Sequence, residues 1–239
     1  MGLNGRRIGG ALVLSGLLAG LCLAAPADEG YSPVAPAAAL DAALRSSLKT
    51  VRDWINDGDF VSAARDAQGL AVLAHLYGHQ GGDRVWRERT TALTDAATGL
   101  AAAARSKDAA VCTKQMEQCA RLLDDLAKRS PGARDTVKDF KPRGGTATWM
   151  LLMDAAYSDA KTARTARDLE RLAESIAEES NALRHLRGDA RWRQTSRDVQ
   201  TAALEVADKA RADDLAGAKT ALKAVYRRCE ACHDLTRRR

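Results

Sequence analysis

One short pattern occurs twice in this chain, and it constrains everything else. Gly82-Asp83-x-x-Trp86-Arg87 recurs as Gly188-Asp189-x-x-Trp192-Arg193. In that register Ala104-Arg105 and Asp108 match Ala210-Arg211 and Asp214, and His79 matches His185. Upstream, after a gap of a few residues, Ala64-Arg65-Asp66 and Leu70-Ala71 match Ala166-Arg167-Asp168 and Leu172-Ala173. Self-similarity of this kind means one structural unit used twice. Pro131, Gly132, Pro142, Gly144 and Gly145 fall in a stretch without helical periodicity. Residues 131–145 therefore read as a linker between a first copy over 28–130 and a second over 146–239.

Each copy reads as four helices. In the second they are expected near 146–158, 160–184, 189–211 and 214–236, with Asp189 and Asp214 as N-caps. Alanine is abundant, proline is absent inside these segments and β-branched runs are missing, all of which favour helix. Four amphipathic helices on short connections pack as an antiparallel bundle. A copy of this size can bury its own core. The expectation is an all-α chain of two tandem four-helix bundles.

The last helix of the second copy carries the chemistry. Its apolar stripe is Leu215, Ala218, Leu222, Val225, Cys229 and Cys232, alternating steps of three and four along one face. The stripe ends in Cys229-Glu230-Ala231-Cys232-His233, a C-x-x-C-H motif. That motif signals covalent attachment of a c-type haem. On a helix the two thiols lie one turn apart on one face, so each can add to one vinyl group of the haem edge. His233 then offers its imidazole to the iron as proximal ligand. A zinc site would want further Cys or His at short spacing, and none lies near. A thioredoxin-like dithiol would open a helix after a strand, whereas this motif closes a helix.

The first copy keeps the stripe and loses the motif. Its last helix presents Ala109, Cys112, Met116, Cys119, Leu123 and Leu126. Leu123, Leu126 and Ala127 stand where Cys229, Cys232 and His233 stand, so this copy reads as haem-free. Cys112 and Cys119 on one helix would lie roughly 10 Å apart along its axis. A disulfide needs Cα atoms within about 7 Å, so these thiols read as small buried apolar groups.

The N-terminus reads as an export signal. Arg6 and Arg7 form a basic start, an apolar run follows from Ile8 to Leu23, and Ala25-Pro26-Ala27 is an A-x-A cleavage site, which puts the mature start at Asp28. Leu21 before Cys22 argues against lipid attachment, and Asn4, Gly5 and Ile8 fit a twin-arginine signal poorly. A periplasmic protein without a membrane anchor after cleavage is expected. The formal net charge of +6 falls to +4 once Arg6 and Arg7 leave, an excess that suits an acidic redox partner protein. Basic residues are mixed with acids and few aromatics interleave them, which excludes a nucleic-acid footprint. Arg237, Arg238 and Arg239 form the one like-charge run, readable as a solvated tail or as neighbours of the haem propionates.

A four-helix bundle with C-x-x-C-H near the end of its last helix resembles the class II cytochromes c, meaning cytochrome c′ and its low-spin relatives. The resemblance covers Thr146 to Arg239 with the motif, and about Asp41 to Arg129 as fold alone. It implies that the haem looks across at the first helix of its bundle. Low-spin members carry a Met there as sixth ligand, commonly after a Leu, whereas cytochromes c′ proper leave that position open. Trp149-Met150-Leu151-Leu152-Met153 offers Leu152-Met153 as the matching pair, so Met153 is the implied ligand and Met150, one turn earlier, the reserve. The upstream register pairs Met153 with Val51 and Met150 with Leu48, so the haem-free copy has no Met at either place. The first helix looks short for the family.

These readings converge on a non-enzymatic electron-transfer cytochrome with one haem c held by Cys229 and Cys232 and ligated by His233 and Met153. No nucleophile triad, phosphate loop or paired-carboxylate site is apparent. The alternative is a five-coordinate haem protein that binds small gases such as nitric oxide or carbon monoxide. Family members often pair through their first two helices, so the haem-free copy is expected to form an intramolecular pseudo-dimer or to dock a partner. His185 could ligate iron, but like its repeat partner His79 it reads more simply as structural or exposed, and His75 lies in the haem-free copy. Trp86 and Trp192 read as packing residues, and Tyr157 and Tyr226 by default as packing residues, with proximity to the haem as the alternative.

Overall fold

The computed structural model describes residues 30–134 and 136–237, with side chains followed to His233. The leader and its cleavage site lie outside the described residues, as do the side chains of the terminal arginines. The chain is all-helical: α1 (Ala37–Asn56), α2 (Phe60–Gly78), α3 (Arg84–Arg105), α4 (Ala109–Ala127), α5 (Thr146–Thr162), α6 (Ala166–Leu183), α7 (Ala190–Arg211) and α8 (Leu215–Arg237). Among the described residues the sole β pairing is an isolated bridge between Tyr31 and Val137. None of the described helices is long and apolar enough to cross a membrane.

Helices α1 to α4 pack on one another in sequence, and α1 closes back on α4. Helices α5 to α8 do the same, with α5 reaching α8. This arrangement is compatible with two tandem bundles. The repeat is visible in the caps. Asp83 accepts a hydrogen bond from the Trp86 amide, and Asp189 accepts one from the Trp192 amide. Asp108 and Asp214 accept from the Val111 and Gly217 amides. Each such bond satisfies an amide that the first helical turn leaves without a partner. Before the last helix of each copy the chain turns through one left-handed residue, Lys107 at φ 56° and Asp213 at φ 60°. The two tryptophans are fully enclosed, and each donates its indole N–H to a carbonyl of the preceding helix, Tyr77 or Leu183.

The structure corrects three expectations. Helix α5 runs on to Thr162 instead of stopping near 158, and α6 starts at Ala166 instead of 160. Thr165 is the cause: its hydroxyl accepts from the Asp168 amide and donates to the Asp168 carboxylate. The upstream register also differs. The interval from Asp59 to Thr165, the N-caps of α2 and α6, equals that from Asp83 to Asp189. No gap is needed, so Arg65 stands opposite Arg171, Met153 opposite Ser47 and Met150 opposite Leu44. The conclusion drawn from that register survives, because α1 contains no Met. Finally, Ala109 is exposed and drops out of the α4 stripe, while Cys112, Met116, Cys119, Leu123 and Leu126 are buried.

The two groups of helices meet through α1 against α6 and α2 against α5. Residues 30–36 form a strap over α6. There Glu178 accepts from the Tyr31 hydroxyl and from the backbone amides of Val34 and Ala35, both at 2.7 Å, and Asn181 donates to the Ser32 carbonyl. Tyr31 stacks on Phe140 of the linker with centroids 3.9 Å apart, and His79 and His185 meet this pair edge-on. The linker is pinned where the Pro131 carbonyl crosses Gly81. A Cβ at Gly81 would sit 1.9 Å from that oxygen, so no other residue fits without moving the chain.

Candidate haem cleft

Helix α8 lies across α7 and touches α5 and α6. Its apolar stripe turns inward as expected: Ala218, Leu222 and Val225 are buried, and Cys229 and Cys232 continue the same face. Below the thiols the packing opens into a cleft of about 550 Å³. That volume lies in the range of small-molecule and cofactor sites, roughly 300–1,000 Å³. Met150, Met153 and Tyr157 of α5 form one wall, and Tyr226, Cys229, Cys232 and His233 of α8 form the other. Leu183 of α6 and Val199 and Ser196 of α7 close the floor.

The sequence-derived site residues therefore share one cavity although α5 and α8 are far apart in the chain. Met153 is 7% exposed and Met150 is half-buried, so both thioethers line the cleft. Cys232 is buried, Cys229 is half-buried, and both are free thiols. Burial pushes the Cys229 thiol up to about 11, with the neighbouring Cys232 and Asp154 adding to the shift. Burial also raises Cys232, against a lowering influence from Arg187. His233 is exposed at the mouth. Tyr157 and Tyr226 stack with centroids 5.8 Å apart over one side, and Lys161 sits 5.3 Å from the Tyr157 ring.

One residue that the sequence reading missed stands out. Ser196 is buried against the cleft, and among the described residues its hydroxyl has no hydrogen-bond partner. A buried unpaired hydroxyl is unfavourable unless a ligand or water completes it. Its counterpart in α3, Thr90, donates to the Trp86 carbonyl at 2.9 Å. Comparing the two copies position by position is the signal that would have exposed it.

The remaining candidates lie elsewhere. His185 accepts from the Arg184 side chain at 3.0 Å and packs with Tyr31 and Phe140. His79 is held at about 4, mainly by burial and also by the adjacent His75, whose own value burial lowers. These three histidines belong to the contact between the two helix groups. Cys112 and Cys119 are fully buried and free in the α4 core. Among the described residues no three His, Cys, Asp or Glu side chains converge as a metal-binding cluster. A haem needs no such cluster, since the porphyrin supplies the equatorial ligands and the protein supplies only axial ones.

The donor set fits a covalently held haem. Two free thiols one turn apart face a cavity of suitable size, an imidazole follows them at its mouth, and thioethers face them across it. Comparison with family models, curated proteins and solved structures finds no match.

Proposed function

We propose that this protein is a c-type cytochrome of the class II kind, exported to the periplasm, whose second helix group carries one covalently attached haem and passes single electrons to a partner protein. The observation that carries this reading is the cleft that gathers Met153, Cys229, Cys232 and His233. Cys229 and Cys232 would hold the haem edge, His233 would ligate the iron from α8, and Met153 would ligate it from α5, with Met150 as the reserve. When bound, such a haem supplies reversible one-electron chemistry, and a His/Met pair raises its potential.

The chain's own residues supply the setting. Leu183 and Val199, both buried, give the inner wall an apolar lining that lowers the local dielectric. Lys161 and the basic excess of the chain favour docking of an acidic partner. The first helix group, lacking a Met in α1 and the attachment motif in α4, is proposed to be a haem-free pseudo-dimer partner held on by the Glu178 strap.

Replacing Met153 with Ala tests the reading against gas binding. Electron transfer through a six-coordinate iron requires that the substitution convert a low-spin spectrum to a high-spin one. An unchanged spectrum removes Met153 from the iron, and a wild-type protein that is already high-spin and shifts with carbon monoxide favours the gas-binding alternative.

A further inference from the structure

A second cleft, of about 350 Å³, lies between the two helix groups and is separate from the one described above. Helices α1 and α2 form one side, α5 and α6 the other. Its walls are mainly apolar, with Ala43, Leu73, Leu151, Leu152, Ala156 and Leu172 prominent. Leu152 closes directly over Gly69, where a Cβ would lie 2.8 Å from the leucine methyl. At the mouth Leu151 is 41% exposed.

Glu179 lies in the wall of this cleft and is almost wholly buried. Its Oε1 accepts from the Ser175 hydroxyl at 3.0 Å, while its Oε2 has no hydrogen-bond partner among the described residues. A buried carboxyl with one oxygen unsatisfied is costly and calls for a ligand that completes it. The surrounding charge decides the ligand's sign. Helix α2 contributes Arg65 and Asp66, which pair with each other at 3.1 Å. Helix α5 contributes Asp159, and α6 contributes Asp168 and Arg171, with Glu178 next along the helix. Helix α1 offers only alanines and the hydroxyls of Ser46, Ser47 and Thr50. Once the Arg65–Asp66 pair is set aside, acids outnumber bases.

We propose that this cleft binds a small organic cation, a primary ammonium on an apolar body, with Glu179 as its counter-ion and the leucines around its hydrocarbon part. Burial, aided by the neighbouring Glu178, raises the Glu179 carboxyl to about 8 against the Ser175 hydrogen bond, so at pH 7 the free protein holds it mostly protonated. On binding, the carboxyl releases its proton to the buffer and the ammonium keeps its own, so a neutral acid becomes a carboxylate–ammonium pair.

The test is calorimetric titration of the full mature chain with hexylammonium at pH 7, in two buffers of different ionisation heat. Saturable binding with proton release is expected. Glu179→Gln should abolish the proton release and weaken binding about thirtyfold or more. Ala43→Phe, which adds bulk to the α1 wall of the cleft and leaves the acid in place, should block binding as well, with helical circular dichroism verifying that both variants fold. Hexanol and hexanoate should bind far more weakly than the amine. Absence of saturable heat with the wild-type chain, equal affinity in Glu179→Gln, or hexanoate binding as tightly as the amine would each overturn the proposal.

Discussion

The two helix groups share caps, turns and enclosed tryptophans, yet one is filled and the other is open. In the first, Tyr77 lies 2% exposed against Trp86, Leu93 and Leu123 are sealed, and Leu126 fills the end of α4. In the second, Leu183 replaces the tyrosine, Val199 replaces Leu93, and Cys229 and Cys232 replace the two leucines. Each of these four exchanges is from larger to smaller, while Ser47, Val51 and Ala120 give way to the larger Met153, Tyr157 and Tyr226 that wall a cleft of about 550 Å³. A core that merely drifted would be expected to refill, since voids cost stability in proportion to their volume. A cavity beside two thiols and an imidazole is what the proposed haem would require.

The largest contrast concerns the cysteines themselves. Replacing Cys229 and Cys232 with Ser should abolish covalent haem entirely in a host with c-haem maturation, while replacing Cys112 and Cys119 with Ala should leave it intact. Haem staining after denaturing electrophoresis reads both. Next come the packing counterparts. Leu126→Ala removes a fully buried side chain and should cost about 3–5 kcal/mol, whereas Cys232→Ala, already at a cavity wall, should cost about 1 kcal/mol in the haem-free protein. Denaturant unfolding of each variant measures the difference.

Glu179 and its counterpart Leu73 give a contrast in pH. The Glu179 carboxyl rises from 4.5 to about 8, mainly through burial. Its folded value lies above its unfolded one, so its stabilising contribution is complete below about pH 4.5 and is lost as pH climbs through 8. Glu179→Gln should therefore flatten the stability profile across that window by roughly 2–4 kcal/mol, as read by melts at successive pH values. The smallest contrast is Thr90→Ala against Ser196→Ala. The first breaks a buried hydrogen bond and should cost about 1 kcal/mol, and the second removes an unpaired hydroxyl and should cost close to nothing without haem.

Much of this was legible in the chain because it depends on local chemistry. The Asp83 and Asp189 caps, the α8 stripe and the C-x-x-C-H spacing each involve residues within a few positions of one another. Met153 was reached through a resemblance, and the structure brings it to the thiols without choosing it over Met150. The break between α5 and α6 was misplaced although Thr165 and Asp168 carry a local cap, because alanines on both sides blur the boundary. The burial of Glu178 and Glu179 was out of reach. Residues 173–183 of α6 are buried on every side although the run includes three acids, an asparagine and two serines. What covers them comes from α1, from the strap at Tyr31 and from other distant segments, and no periodicity within α6 reports that.

The central claim is that this open helix group, and not the closed one, holds a haem. Oxidised and reduced absorption spectra of the mature protein, taken with the haem-to-protein ratio, test it most directly. The account predicts one covalent haem per chain with sharp low-spin bands and a weak sulfur-to-iron charge-transfer band. A protein matured in a competent host that carries no covalent haem would contradict it.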